Sequence, residues 1–169
     1  PVDYDPHADY VHWLEFIGSV VNDPEVADYL QMALGYSATG HTSEECMFAI
    51  VGVTRSGKGT LTETILKVLP KPLGVEVDFS TFTAKRDVDT QNFDLAALKP
   101  ARFVAASESK HNETLNEAKV KLATGGNYIR CAFKHKDFFE YKPQFKIWLT
   151  SNHQIKGDVN DDAFWGRLR

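Results

Sequence analysis

Long apolar runs are absent from these 169 residues, and so is any cysteine framework. No stretch approaches the roughly 20 apolar residues that a membrane helix needs, so no membrane partner is expected. The two cysteines, Cys46 and Cys131, lie far apart and show no metal-ligand spacing. They are expected to be buried free thiols in a reducing cytosol, which points to a cytoplasmic setting. Internal repeats and low-complexity segments are missing, as is a signal-peptide pattern at the start. The first residue is Pro1 and the last segment is W-G-R-L-R, so the chain reads as a fragment of a larger protein. At 43% apolar it is no disordered segment, and its length suits one α/β domain.

A general excess of positive charge is lacking too. The net charge is −4, which argues against an overall basic nucleic-acid binder. The distribution is uneven. Between Lys110 and Lys146 there are eight Lys/Arg against four acids, and elsewhere 11 bases against 19 acids. A local basic stripe on an acidic protein suits contact with a polyanion, although a solvated helix face would give the same count.

The chain divides into a Pro/Asp-rich tail or linker (1–9), an N-terminal helical region (10–45) and a core (46–169). Trp13, Phe16, Ile17 and Val20 fall at helical spacing. Asp23-Pro24 reads as the N-cap and first residue of a second helix, with Gly35 as its stop and a polar loop from 36 to 45. An apolar strand over 46–51 leads into the glycine-rich segment 52–60, and a helix follows over 58–69. Residues 75–77 form a short strand candidate, 80–92 a polar loop and 94–98 a short helix. Residues 102–107 and 145–150 read as buried strands, and a helix runs from Glu113 to Thr124. Between them, 128–133 and 138–141 are the arms of a β-hairpin. Strands alternating with helices imply a largely parallel sheet with crossover helices.

The segment G-V-T-R-S-G-K-G-T (52–60) carries the clearest chemistry. Gly52, Thr54, Arg55, Ser56, Gly57, Lys58, Gly59 and Thr60 form a loop between a strand and a helix. There glycines let backbone N–H groups converge on phosphate oxygens, and the helix N-terminus favours negative charge. Lys58 can reach the β- and γ-phosphates of a nucleoside triphosphate. A hydroxyl normally follows this lysine to bind Mg²⁺, but here that position is Gly59 and the hydroxyl comes at Thr60. Glu108 stands at the end of the strand over 102–107, where it could orient or deprotonate an attacking water and support the metal. Ser107 precedes it, in place of the usual Asp, and could support the hydrated metal. Asn152 ends the strand over 145–150 and could polarise the same water. Arg167 and Arg169 have the chemistry to stabilise transition-state charge, although their spacing alone favours surface ion pairs. Lys134, His135 and Lys136 crowd positive charge at the hairpin tip, suited to a single-stranded phosphate backbone. Their neighbours Phe133, Phe138, Phe139 and Tyr141 are expected to form hairpin core rather than a base-stacking platform.

Together these pieces resemble the helicase domain of phage and plasmid primase–helicases, a branch of the superfamily 3 helicases in the AAA+ class. The resemblance rests on L-G-Y-S-A-T-G-H-T-S-E-E (34–45), the glycine-rich loop, D-F-F-E-Y-K-P-Q-F-K (137–146), T-S-N-H (150–153) and D-D-A-F-W-G-R-L-R (161–169). It implies a three-layer P-loop NTPase of the ASCE type with an inserted β-hairpin. It also implies ATP and Mg²⁺ as cofactors, a homo-oligomeric ring (a hexamer), single-stranded DNA as partner and a primase domain in the full-length protein. Lys58 and Thr60 match the Walker A lysine and hydroxyl region, Glu108 the Walker B glutamate and Asn152 the sensor asparagine. Lys134, His135 and Lys136 match the DNA-tracking hairpin, and Arg167, or Arg169 in its place, the arginine finger. Gly59 and Gly166 depart from the family pattern. Two alternatives remain open: a nucleotide or small-molecule kinase, favoured by G-K-G-T, and a non-hydrolysing ATP-binding DNA-binding or assembly module, favoured by Ser107 and Gly59.

Overall fold

The computed structural model describes residues 5–83, 92–108, 114–158 and 160–169. Among these described residues, six helices and six strands follow in order: α1 (Val11–Val20), α2 (Pro24–Ala38), β1 (Phe48–Val51), α3 (Lys58–Val68), β2 (Gly74–Asp78), α4 (Phe93–Ala96), β3 (Phe103–Ser107), α5 (Glu117–Thr124), β4 (Ile129–Ala132), β5 (Phe138–Tyr141), β6 (Lys146–Ser151) and α6 (Asp162–Trp165). A 3₁₀ turn, Phe79–Thr81, follows β2.

Four strands form one parallel sheet in the order β1-β6-β3-β2. β6 thus lies between the strand that enters the glycine-rich loop and the strand that ends before Glu108. The last residues extend the sheet. Met47 and Ala49 donate to the carbonyls of Arg167 and Arg169, and Met47 and Leu168 form a parallel bridge beside β1. β4 and β5 pair separately as an antiparallel hairpin.

Alternate strand residues face opposite sides of the sheet, so two cores form. On one side Phe48, Phe103, Ala105 and Trp148 pack against Ile17, Ala33, Leu34 and Leu61 of α1 to α3. Trp148 lies between Phe48 (ring centroids 4.4 Å apart) and Phe103 (5.6 Å), both stacked. On the other side Val104, Ala106, Ile147 and Leu149 meet residues of α4, α5, α6 and the hairpin. The expected α/β fold with a mostly parallel sheet, a β-hairpin and three layers is therefore present.

The second helix begins as expected. Asp23 caps α2 by accepting from the Glu25 N–H, with Pro24 first in the helix. Its end differs: Gly35 does not stop it, and α2 continues to Ala38. The extra turn is held by tertiary contact. The buried Ser37 hydroxyl donates to the Ala33 carbonyl (2.7 Å) and accepts from Trp148 Nε1 (2.9 Å). These bonds outweigh the helix penalty of one glycine, about 1 kcal/mol. α5 starts at Glu117, capped by Asn116, while the start expected at Glu113 lies outside the described residues. So do most of the loop expected over 80–92 and the first four residues of the tail. Cys46 and Cys131 are buried free thiols.

Candidate functional site

The glycine-rich loop turns through two left-handed residues, Arg55 (φ 65°) and Gly57 (φ 89°). Gly57 is the N-cap of α3, and no side chain caps the helix there. Its first N–H groups are therefore available to an anion. A Cβ at Gly57 would lie 2.6 Å from Val20 Cγ1, so the end of α1 packs onto the loop and only glycine fits. At Gly59 the nearest atom to such a Cβ is Glu63 Oε1 at 3.9 Å, so this position is open.

Lys58 is folded into the loop. Its ammonium donates to the carbonyls of Gly52 (2.7 Å) and Val53 (2.8 Å) and lies 3.2 Å from Ser56 Oγ. Three N–H donors thus meet three acceptors. Beside the loop is a cavity of about 360 Å³, lined by Gly52, Ser56, Gly57 and Lys58 and by apolar residues of α1, α2 and β1. Thr54 and Arg55 are exposed in the loop, and Gly59 and Thr60 on the first turn of α3.

Glu108 is brought to this loop through β6. Its N–H donates to the Thr150 carbonyl (2.9 Å), and its carboxylate accepts from the Ser151 hydroxyl. The Ser151 carbonyl accepts from the Gly52 N–H (3.1 Å). Ser107, one residue earlier, pairs its hydroxyl with Thr150 Oγ1 at 2.8 Å. Asn152 is exposed in the turn that follows β6. The sequence-based reading did not single out Ser151. A serine at a strand end carries no signal of its own, and its place opposite Val51 in the β1–β6 register is visible only in the fold.

Arg167 does not reach the loop of its own chain. It donates to the Ala163 carbonyl (2.6 Å) and pairs with Glu45 (3.2 Å), while its Nε is buried without a partner among the described residues. α6 before it is anchored by Lys121, which bonds Asp161 at 2.6 Å. That hydrogen bond is the main cause holding the Asp161 carboxyl below its ordinary range. Arg169, in contrast, lines the cavity beside Lys58.

Lys134, His135 and Lys136 are exposed in the turn between β4 and β5. The expectation that the flanking aromatics form hairpin core needs correction for two of the four. Tyr141 is buried and Phe139 partly so, but Phe133 and Phe138 are each 49% exposed. Phe138 lies on the outer face with Arg130, whose guanidinium sits 4.8 Å from its ring centre. Nor is the basic stripe one surface. Lys119 and Lys121 pair with Asp94 and Asp161, and Lys146 is 1% exposed. The free positive charge among the described residues of that stretch gathers on the hairpin and its exit, at Arg130, Lys134, Lys136 and Lys142.

A family match covers residues 50–167 and so takes in the loop, Glu108, the hairpin and Arg167. The chain belongs to the DUF5906 family. That family is described as one of unknown function. A relative from Acanthamoeba polyphaga mimivirus, named a putative helicase, is 31% identical over 155 residues. Another of that name, from Frog virus 3 (isolate Goorha), is 25% identical over 163 residues. These alignments take in 91% and 92% of the DUF5906 chain but only 16% of each relative. Among solved structures, the apo NrS-1 C terminal region superposes with a TM-score of 0.61 at 14% identity, over 100% of the chain and 38% of its own length. A JCV helicase bound to a small molecule gives 0.60 at 13% identity, over 96% and 44%. The resemblance to a helicase domain therefore holds: the relatives carry helicase names, and the fold is shared with a helicase structure. No described helix is long and apolar enough to cross a membrane.

Proposed function

We propose that this chain is the ATP-hydrolysing core of a DNA helicase, coupling hydrolysis to translocation along single-stranded DNA. One observation carries the reading. β6 joins the phosphate loop and Glu108 in a single hydrogen-bonded unit, with Ser151 bonded to Gly52 on one side and to Glu108 on the other. The residues fit a magnesium–triphosphate. The uncapped N-terminus of α3 supplies N–H donors, and Lys58 exchanges its three loop acceptors for phosphate oxygens. The Thr60 hydroxyl and, through water, Glu108 would hold Mg²⁺, which neutralises charge on the β- and γ-phosphates when bound.

The cavity beside the loop accepts the base against Val20, Val21, Tyr29 and Leu30. Glu108 takes the proton of the attacking water, and Asn152 orients that water at the γ-phosphate. Arg167, released from Glu45 and the Ala163 carbonyl, reaches the nucleotide of a neighbouring subunit in a hexameric ring. The exposed hairpin then moves on DNA, and the full-length protein carries a primase domain.

Steady-state ATPase assays on the full-length protein, with and without single-stranded DNA, test this. Lys58→Ala is expected to abolish nucleotide binding and turnover, and DNA is expected to stimulate the wild type. Turnover unaffected by Lys58→Ala would refute the site. A second reading, a nucleotide-binding module without turnover, is favoured by Ser107 standing where a metal-binding carboxylate is usual. Tight ATP binding by a wild type that never hydrolyses it would establish that reading instead.

A further inference from the structure

Ser151 is the last residue of β6 and is 2% exposed. Its polar groups meet three parts of the site. The carbonyl accepts from the N–H of Gly52, where the phosphate loop begins (3.1 Å). The hydroxyl touches the Glu108 carboxylate. The same oxygen accepts from the His153 N–H at 2.9 Å and lies 2.7 Å from the His153 carbonyl. A serine hydroxyl carries one proton. It can therefore donate to Glu108 or to the His153 carbonyl, but not to both at once.

From this geometry we infer that Ser151 is the positioning residue for Glu108, and that the turn over residues 152–153 sets which acceptor its hydroxyl serves. The inference rests on the ATPase reading above and adds a residue and a linkage to it. A glutamate side chain left without a partner samples many rotamers, and ordering it costs about 1.5–2 kcal/mol. A hydroxyl–carboxylate bond is charge-assisted and stronger than a neutral one, so Ser151 confines the carboxylate at the head of β3. Asn152 lies between Ser151 and His153, whose carbonyl is one of the two acceptors that compete for this proton. Any contact that shifts Asn152 also shifts the His153 carbonyl, and with it the hold on Glu108. A ligand reading at the end of β6 is thereby passed to the carboxylate without direct contact between Asn152 and Glu108.

The test is a double-mutant cycle on the full-length protein, made of Ser151→Ala, Glu108→Gln and the pair. Steady-state ATP hydrolysis and fluorescent ADP binding are the readouts, with thermal unfolding as the control. Ser151→Ala removes one oxygen from a packed site and leaves its backbone bond to Gly52 in place. It is expected to lower kcat about tenfold, the scale of a modest misplacement of a reacting group. KM for ATP and the affinity for ADP are expected to stay within about twofold, since the residue acts through Glu108 and not on the nucleotide. In the Glu108→Gln background the same change is expected to cost nothing more.

A Ser151→Ala protein with wild-type kcat overturns the inference, and so does a loss that adds in full to that of Glu108→Gln. A rise in KM and a loss of ADP affinity, together with a fall in kcat and melting temperature, would mark a purely structural role and overturn it as well. A wild type inert toward ATP overturns the ATPase reading itself, and the wild-type arm alone reveals this.

Discussion

Gly59 sets the glycine-rich loop of this chain apart, and its surroundings explain what the substitution does. A Cβ there would have Glu63 Oε1, 3.9 Å away, as its nearest neighbour outside the adjoining backbone, so no contact within the chain keeps glycine in place. Gly59 is the second residue of α3, where glycine weakens a helix by leaving the unfolded backbone freer. Gly59→Ala is expected to stabilise the chain by about 0.5 kcal/mol, raising the melting temperature by roughly 1–2 °C. Thermal unfolding followed by circular dichroism checks this, and a lowered melting temperature would mean that the loop needs the glycine. Gly57, two residues earlier, is the opposite case. Its positive φ and the Val20 methyl 2.6 Å from a Cβ make any other residue strained there.

Among the elements, the hairpin separates charge from core. Ile129, Cys131 and Tyr141 are buried, while Arg130, Phe138 and Glu140 look outward and Lys134, His135 and Lys136 occupy the tip. Charge held on an exposed turn contributes to phosphate contacts but little to folding. Replacing Lys134, His135 and Lys136 together by Ala is expected to weaken single-stranded DNA binding. The slope of log affinity against log salt should fall by about 1–1.5, since each lost phosphate contact on single strands removes about 0.7. The melting temperature should stay near that of the wild type. Fluorescence anisotropy across a salt series measures the slope, and an unchanged slope would place the DNA contact elsewhere.

At the scale of the whole molecule, Lys146 ties the segment after α2 to the central sheet. Its ammonium donates to the carbonyls of Thr39 (2.6 Å) and His41 (2.9 Å) and lies 4.7 Å from the Tyr36 ring centre. Burial first, and the nearby charge of Arg102 second, lower its pKa from 10.5 to about 8. The folded value lies below the unfolded one. Between pH 8 and 10.5 the unfolded chain therefore holds more protons at this residue, and stability rises with pH across that window. Cys46 and Tyr141, whose pKa values burial raises, act in the opposite sense at high pH. The useful quantity is thus the stability of the wild type minus that of Lys146→Met. This difference is expected to grow in favour of the wild type from pH 7 to pH 10 in urea unfolding. A difference that does not change with pH would refute the account.

Much of the molecule was legible in the residues alone. The order of strands and helices, the Asp23-Pro24 helix start, the glycine-rich loop between β1 and α3 and the hairpin all follow from local signals. Such signals act over a few residues: side-chain periodicity, caps, and the backbone freedom of glycine. The candidate site was legible as separate pieces, Lys58, Glu108, Asn152 and the Lys134-His135-Lys136 tip. What only the tertiary structure decided depends on groups distant in the chain. Helix α2 passes Gly35 because Trp148, 111 residues beyond Ser37, offers its indole N–H. Lys146 counts as surface charge in the sequence, yet it is buried because loop carbonyls satisfy it. Ser151 becomes the link between loop and carboxylate only when β6 is laid between β1 and β3. Strand order is a property of long-range pairing, and no local pattern encodes which strand will stand in the middle.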